Sequence, residues 1–474
     1  IEKLSTGEAD VKQEALDMSL NLLKELNYPL VWSNKTIAIQ AIHNLLKTMK
    51  ATKKWAEKND KDASMGEMTD PRLLAITRLL AHVGYNSYFL ERIFLSTLGI
   101  CHQVNLSLTH GKNDLSGIAL VNIGFMSWAV LKEDFSVALS TIEKSLAIQE
   151  TLDPQYEGQA RWIAYVLCLY WNRPFDNNIA LECYKSAMRV GDTEYATYSL
   201  ALAYVWLPYV SGKPLTMILR ECPKLALHFE ELQQTEPMTS AKMYHQMARL
   251  INSGDVVQQL EGSIFSATRD TVSTGPLLAT LHFLEGELLI LSNMDLAAER
   301  AIRDGDKYQK LGPGVFLGMM EMFHRGIALF AAARRHKKRK YRNNANKIRK
   351  TVKQWIKDGN PNIEHYDLLL DAEHAALSSK THGLADKLYQ ASVESAKKIG
   401  HLMHSGLCNE RYADFLLHAH SDGAGALHQL SEAARFYGEW GAVGKVNQLK
   451  LQIEGIGGKD VCSTPTEPGS SHYL

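Results

Sequence analysis

The sequence predicts an all-α fold, a helical-repeat array or α-solenoid with a candidate division into two halves. Three observations carry that expectation. Apolar residues recur at three- and four-residue spacing along nearly the whole chain. No segment shows the strict alternation of a half-buried strand. The periodic segments run from 13 to 20 residues between breaks at Gly, Asn, Asp and Pro, the size of paired antiparallel helices.

Taken in order, helices are expected over Pro71–Phe89, Asp114–Leu131, Phe135–Leu152, Gln155–Trp171, Asn178–Val190, Glu194–Tyr209, Gly275–Leu291, Phe316–Arg335, Ile363–Ser379 and Gly383–Ile399. Three stretches interrupt them. Lys50–Met68 is polar and charged and reads as a linker or helix end. Gly254–Gly275 mixes Gly, Ser and Thr with polar residues, and the stretch from Gly455 onward is rich in Gly, Ser, Thr and Pro. The expected organisation is an N-terminal helical segment and linker (1–67), a first half of the array (68–253), an irregular connector (254–275), a second half (276–454) and a flexible tail (455–474).

A shared pattern on several second helices supports repetition. A small residue is followed by a bulky apolar one four positions later and a small one three after that: Ala138/Ile142/Ser145, Ala180/Tyr184/Ala187, Ala385/Tyr389/Ser392 and Ala426/Leu430/Ala433. At those offsets the three side chains share one helix face, the small ones admitting a neighbouring helix. This is tetratricopeptide-like packing, although adjacent examples lie 42 and 41 residues apart rather than the usual ~34. A generic helical bundle with Ala-rich faces is the plainer alternative.

Composition sets the outer bounds. With 45% hydrophobic residues, 22% charged residues and 13 prolines, the chain has enough apolar surface to offset ordering entropy. Lys and Arg total 52, as do Asp and Glu, so whole-molecule attraction to a polyanion is excluded and such binding would need a local patch. Length alone suggests roughly three domains, but arrays grow along one axis and escape that rule. Six scattered cysteines without CxxC indicate neither a disulfide framework nor a zinc site to complement the close His401/His404 pair, and they favour a reducing, cytoplasmic setting. No signal peptide is evident, and the opening isoleucine predicts a fragment. Tyr195–Ser211 lacks charge over 17 residues but carries Pro208 and several hydroxyls, and reads as a buried helix rather than a membrane span.

Catalytic signatures are missing. GxxxxGK[ST], HExxH and GxSxG do not occur, so no catalytic residue, cofactor or metal ligand is assigned. The 18 histidines are spread widely, and those inside apolar helices, such as His282 and His324, read as core or groove residues. The run Arg334–Lys353 holds eleven Lys or Arg and no acid. Arg334, Arg335, Lys337, Lys338, Arg339, Lys340 and Arg342 form a candidate binding patch for an acidic protein surface or phosphates, with a solvated helix end as the alternative. Only Tyr341 and Trp355 are near enough to stack on bases, which argues against nucleic acid, while ARRHKKRKYR also resembles a nuclear import signal. Tyr165, Trp171, Tyr198, Tyr204 and Trp206 are candidate aromatics of an inner groove for a small ligand, unless they simply pack the core.

Several short motifs recur in a fixed order: Met68-Thr69-Asp70-Pro71, Leu106–Gly111 with Ser116-Gly117, Trp171 with Pro174, and Gly191-Asp192 with Glu194-Tyr195-Ala196 and Tyr198. Glu410–Phe415, Ala433-Ala434, Tyr437, Trp440-Gly441-Ala442 and Lys445-Val446 complete the set. With them, residues from about Ala15 to Leu451 resemble the tetratricopeptide-like helical region of large predicted-ATPase signalling proteins of the multi-domain serine/threonine kinase and hybrid histidine kinase type. There the region follows an AAA-type, STAND-like ATPase, and kinase-like, GAF and histidine-kinase domains often flank the pair. The resemblance implies a regulatory role without the catalysis of those neighbours, whose sequences do not occur here. Tyr437 and Trp440 read as anchors on one helix face, Gly441 as the stop of that helix, and Lys445 as part of a short capping helix. Three functions follow as expectations: a non-catalytic scaffold binding a protein partner or adjoining signalling domain, a small-ligand-sensing repeat domain, or an enzyme with an unrecognised site.

Overall fold

The computed structural model describes residues 9–30, 36–57, 65–131, 133–253, 259–267, 272, 274–305 and 316–461. Those residues form twenty-one α-helices with short 3-10 and π turns and no strand, apart from one isolated bridge between Glu67 and Lys112. Aspartates start many of the helices. Asp70, Asp134, Asp176, Asp192 and Asp422 each accept a hydrogen bond from a backbone amide of the first turn, and Pro71 follows Asp70 at the first helical position. Gly191 and Gly441 stop helices in the left-handed conformation, with φ of 76° and 105°.

Consecutive helices pack on one another. The first two, α1 (Ala9–Glu25) and α2 (Ile37–Ala56), lie against α3 (Pro71–Phe89) and α4 (Ile93–His110), which pair together. Next, α5 (Ser116–Ala129) pairs with α6 (Phe135–Gln149), and α7 (Glu157–Leu167) with α8 (Asn177–Val190). The uncharged stretch forms α9 (Thr193–Ala201), a π turn over Leu202–Trp206, and α10 (Leu207–Val210). Pro208 lacks an amide proton, and it sits just past that looser turn. Then come α11 (Leu215–Glu231) with α12 (Thr235–Ser253), α13 (Gly275–Leu291) with α14 (Asp295–Gly305), and α15 (Phe316–His336) with α16 (Arg339–Lys357). The last pairs are α17 (Glu364–Ala375) with α18 (His382–Lys398), and α19 (Leu402–Phe415) with α20 (Gly423–Trp440), on which α21 (Val443–Val461) packs. The closing helix is thus nineteen residues long rather than short, and it runs past position 455, where a tail was expected; residues 462–474 lie outside the described residues. No described helix is long and apolar enough to cross a membrane.

The small residues of the sequence pattern sit where helices cross. Ala138, Ala180, Ala385 and Ala426 are fully buried, and glycines face the helices of Ala138, Ala180 and Ala426 from the partner side. A Cβ on Gly124 would lie 2.8 Å from Ile142 Cγ1, one on Gly286 2.4 Å from Ile302 Cγ1, and one on Gly406 2.9 Å from the Tyr437 ring. The pairs therefore approach to glycine distance.

Helices far apart in sequence also meet. Trp171 packs edge-on against Trp355, and Asn362 donates to the carbonyls of Tyr170 and Arg173 at 2.9 and 3.0 Å. Leu402 donates its amide to Gly212, Tyr209 packs near Trp440, and Lys445 donates to the Leu291 carbonyl. One apolar cluster runs from Val121 to Leu449, so the two expected halves share a core. Of the expected connector, Leu260 and Phe265 belong to that core, while residues 254–258, 268–271 and 273 lie outside the described residues.

Gly158 tests the close approach, because a Cβ there would lie 2.8 Å from the Ala187 amide nitrogen and 3.1 Å from the Cys183 carbonyl oxygen, neither of which can rotate away. Gly158→Ala is expected to lower unfolding free energy by about 1–3 kcal/mol despite the better helix propensity of alanine. Urea denaturation checks this, and an unchanged midpoint would mean that the pair spreads freely.

Candidate functional site

The most unusual chemistry lies at the centre of the fold. His324 on α15, His365 on α17, and His401 and His404 at the start of α19 are all buried, together with Glu287 on α13. Glu287 binds His324 Nδ1 with one carboxylate oxygen and accepts from Tyr209 Oη at 3.3 Å with the other. His324 Nε2 lies 2.9 Å from His404 Nε2, and His404 Nδ1 lies 2.9 Å from His365 Nε2. His401 caps α19 by accepting the His404 amide at Nδ1, its Nε2 donates to the Val210 carbonyl at 2.9 Å, and its ring stacks on His404 at 3.7 Å. Phe323 and Tyr366, stacked at 4.0 Å, wall the cluster.

Burial lowers the basicity of His365, His401 and His404. It takes His401 down to about 3, against the helping bond to Val210, and it holds His365 and His404 well below the usual imidazole range, with the neighbouring histidines adding to the effect. These rings are neutral and offer lone pairs. One nitrogen from each of His365, His401 and His404 falls within 4.8 Å of the others, a set that could hold a metal ion. The sequence reading assigned no metal ligand, because the donors are 36 residues apart or more except for the His401/His404 pair. That pair, with histidines in apolar helices at 324 and 365, was the available signal.

Beside it lies a buried ionic network. Arg411 pairs with Asp295 at 2.8 Å, Lys445 with Glu410 at 2.6 Å, and Arg334 with Glu373 at 2.8 Å. Tyr437 Oη donates to Glu410 at 3.1 Å. Desolvation pulls the Arg411 guanidinium down, but the Asp295 and Glu373 carboxylates outweigh it and raise its pKa. Of the expected anchors, Tyr437 and Trp440 are fully buried, Gly441 ends its helix, and Lys445 belongs to this network.

The basic run divides in two. Arg334 is committed to Glu373, Arg335 lies 3.5 Å from Asp295, and Arg349 and Lys353 pair with Asp371. Lys337, Lys338, Arg339, Lys340 and Arg342 are exposed at the α15–α16 turn, with no carboxylate within ion-pair distance among the described residues. Of the proposed groove aromatics, Tyr165 and Trp171 are buried in the core. Tyr198, Tyr204 and Trp206 are half-buried, with Tyr198 donating to Glu236 at 2.6 Å and Trp206 to Ser240 at 3.0 Å.

A second polar cluster joins the N-terminal helices to α9. Lys12 Nζ sits 5.0 Å from the Tyr85 ring centroid and 4.5 Å from that of Phe89, and Tyr85 Oη donates to Glu194. Burial pushes the Glu194 carboxyl up to about 7, against the opposing pull of Tyr85 and Lys12. No protein-family model matches the chain, and no curated protein matches it.

Glu194 sets a pH dependence with a definite sign. Its folded pKa of about 7 lies above the ordinary 4.5, so its contribution to stability is full below 4.5 and is lost as pH rises towards 7. Glu194→Gln stays neutral, and the variant is expected to gain on the order of 2 kcal/mol relative to the native chain across that window. Urea titrations on both sides of the window measure this; parallel profiles for the two proteins would refute it.

Proposed function

We propose that this chain is the helical-repeat region of a signalling protein of the predicted-ATPase type, and that it works without catalysis of its own. In this reading it binds an acidic segment of a partner protein or adjoining domain through the exposed cations at the α15–α16 turn. One observation carries the proposal. Lys337, Lys338, Arg339, Lys340 and Arg342 crowd the beginning of α16, where the helix dipole opposes cations, the first turn has no acid and Lys338 forms no side-chain cap. Charges so placed weaken the helix end, and no described carboxylate offsets them. An acidic partner reverses that cost, meeting both the cations and the free amides of the first turn.

The geometry favours protein over nucleic acid. Trp355 is buried against Trp171, so Tyr341 alone remains beside the patch, and Lys340 Nζ sits 4.9 Å from its ring centroid. Single-strand binding depends on successive aromatic platforms, and one ring supplies none. The stack of paired helices, and the order of short motifs shared with the signalling family, support the scaffold reading.

The test compares a labelled poly-glutamate peptide with a single-stranded RNA of equal length, by fluorescence anisotropy over a salt series. The native chain is expected to bind the peptide, and a variant with all five cations changed to Glu should lose about tenfold or more in affinity at unchanged Tm. Failure to bind the peptide at low salt, or tighter binding of RNA through the same residues, would overturn the proposal.

A further inference from the structure

Proton bookkeeping in the central cluster closes everywhere except at one atom. The Glu287 carboxylate can only accept, so His324 donates from Nδ1 and its Nε2 is left to accept from His404 Nε2. His404 Nδ1 then accepts from His365 Nε2. His365 Nδ1 is buried with no hydrogen-bond partner. A buried polar atom left unpaired costs stability, and four imidazoles could be replaced by apolar side chains at no such cost.

Two of the three imidazoles hold their outer nitrogens as in metal sites, where a ligand imidazole donates from its far nitrogen to a second-shell acceptor, whereas the outer Nδ1 of His365 has no partner. His401 donates from Nε2 to Val210, and His404 donates from Nε2 to His324, which passes the contact on to Glu287. Both therefore keep Nδ1 as a lone pair, and because their rings stack nearly parallel at 3.7 Å, one ring turns for the two lone pairs to meet one ion. His365 completes the set, its Nε2 2.9 Å from His404 Nδ1. Gly212, at φ +64°, backs the His401 ring so closely that a Cβ would lie 2.1 Å from His401 Nδ1.

We propose that His365, His401 and His404 form a structural site for one divalent transition-metal ion, zinc above all, tying α17 and α19 to the end of α10. Three neutral imidazoles without thiolate suit zinc, cobalt, nickel or copper and do not suit magnesium or calcium. On binding, His365 gives up its Nε2 proton to its own Nδ1, and the 3.2 Å contact from the His404 amide to His401 Nδ1 is exchanged for the ion. The ion enters as the chain folds or locally opens, because the site is closed in the folded protein. This inference is independent of the acidic-partner reading, and the two tests share no readout.

The test uses the whole chain, stripped with a chelator and titrated with zinc or cobalt. Expected are about one bound ion per chain by elemental analysis, a Tm rise of several degrees, and visible cobalt bands of a four-coordinate site in which one water joins the three imidazoles. His365→Gln is expected to abolish the cobalt bands and the Tm rise. His324→Gln, which breaks the outer contact, should weaken binding roughly 10–100-fold without abolishing it, and the surface variant His418→Gln should bind as the native chain does. A folded native chain that takes up no stoichiometric ion and shows no cobalt bands overturns the proposal, as does full binding by folded His365→Gln. If His365→Gln does not fold, X-ray absorption of the zinc-loaded native chain decides: three imidazole ligands support the site, and fewer overturn it.

Discussion

The structure depends on how closely neighbouring helices approach. A stack of helix pairs has no sheet to organise it, so its geometry is set by what stands between one helix axis and the next. Here that space is occupied by alanine on one helix and glycine on the other, with a single bulky residue filling the gap: Ile142 against Gly124, Ile302 against Gly286, Tyr437 against Gly406. Dispersion falls off steeply with distance, so this contact gives the paired helices dense packing that larger side chains would prop apart. The same constraint repeats along the chain, and repetition of one local contact makes an array.

Tight pairs alone would allow a loose, extended stack. This one winds back on itself, since Trp171 meets Trp355, Gly212 accepts from Leu402 and Lys445 reaches the Leu291 carbonyl. Such contacts bring loop-closure entropy that neighbour contacts avoid, and they convert a one-dimensional stack into a body with a shared interior. Strain introduced at α5 can reach the C-terminal helices through that interior as well as along the chain.

The sequence was informative where structure is local. Gly275–Leu291 and Pro71–Phe89 have the bounds that periodicity and breakers imply, and the helix expected over Glu194–Tyr209 is present with a π turn inserted before its proline. The small-large-small faces were legible, but their glycine partners were not, because a glycine inside a helix carries no apolar period. The histidine centre was less legible still. His324, His365 and the His401/His404 pair lie on three helices, and each looks like an isolated polar residue in an apolar stretch. The packing of α15, α17 and α19 brings them together, and nothing in local spacing encodes it. The basic run is contiguous in sequence, but the fold divides it: Arg334, Arg335, Arg349 and Lys353 lie against carboxylates, while the cations at the α15–α16 turn stay exposed.

The zero net charge of the chain conceals that split and the polar interior beside it. Apolar faces tolerate a one-turn slip along a helix with little loss, whereas a buried ion or imidazole has a partner at one height only. Arg411 with Asp295, Lys445 with Glu410, and His404 between His324 and His365 each fix the height of one helix against another across α14, α15, α17, α19 and α21. Paying desolvation for those groups adds little to stability, because an apolar interior of the same shape would be at least as stable. What they supply is a unique register, in the half of the array where helix pairs separated by more than a hundred residues must meet at fixed positions.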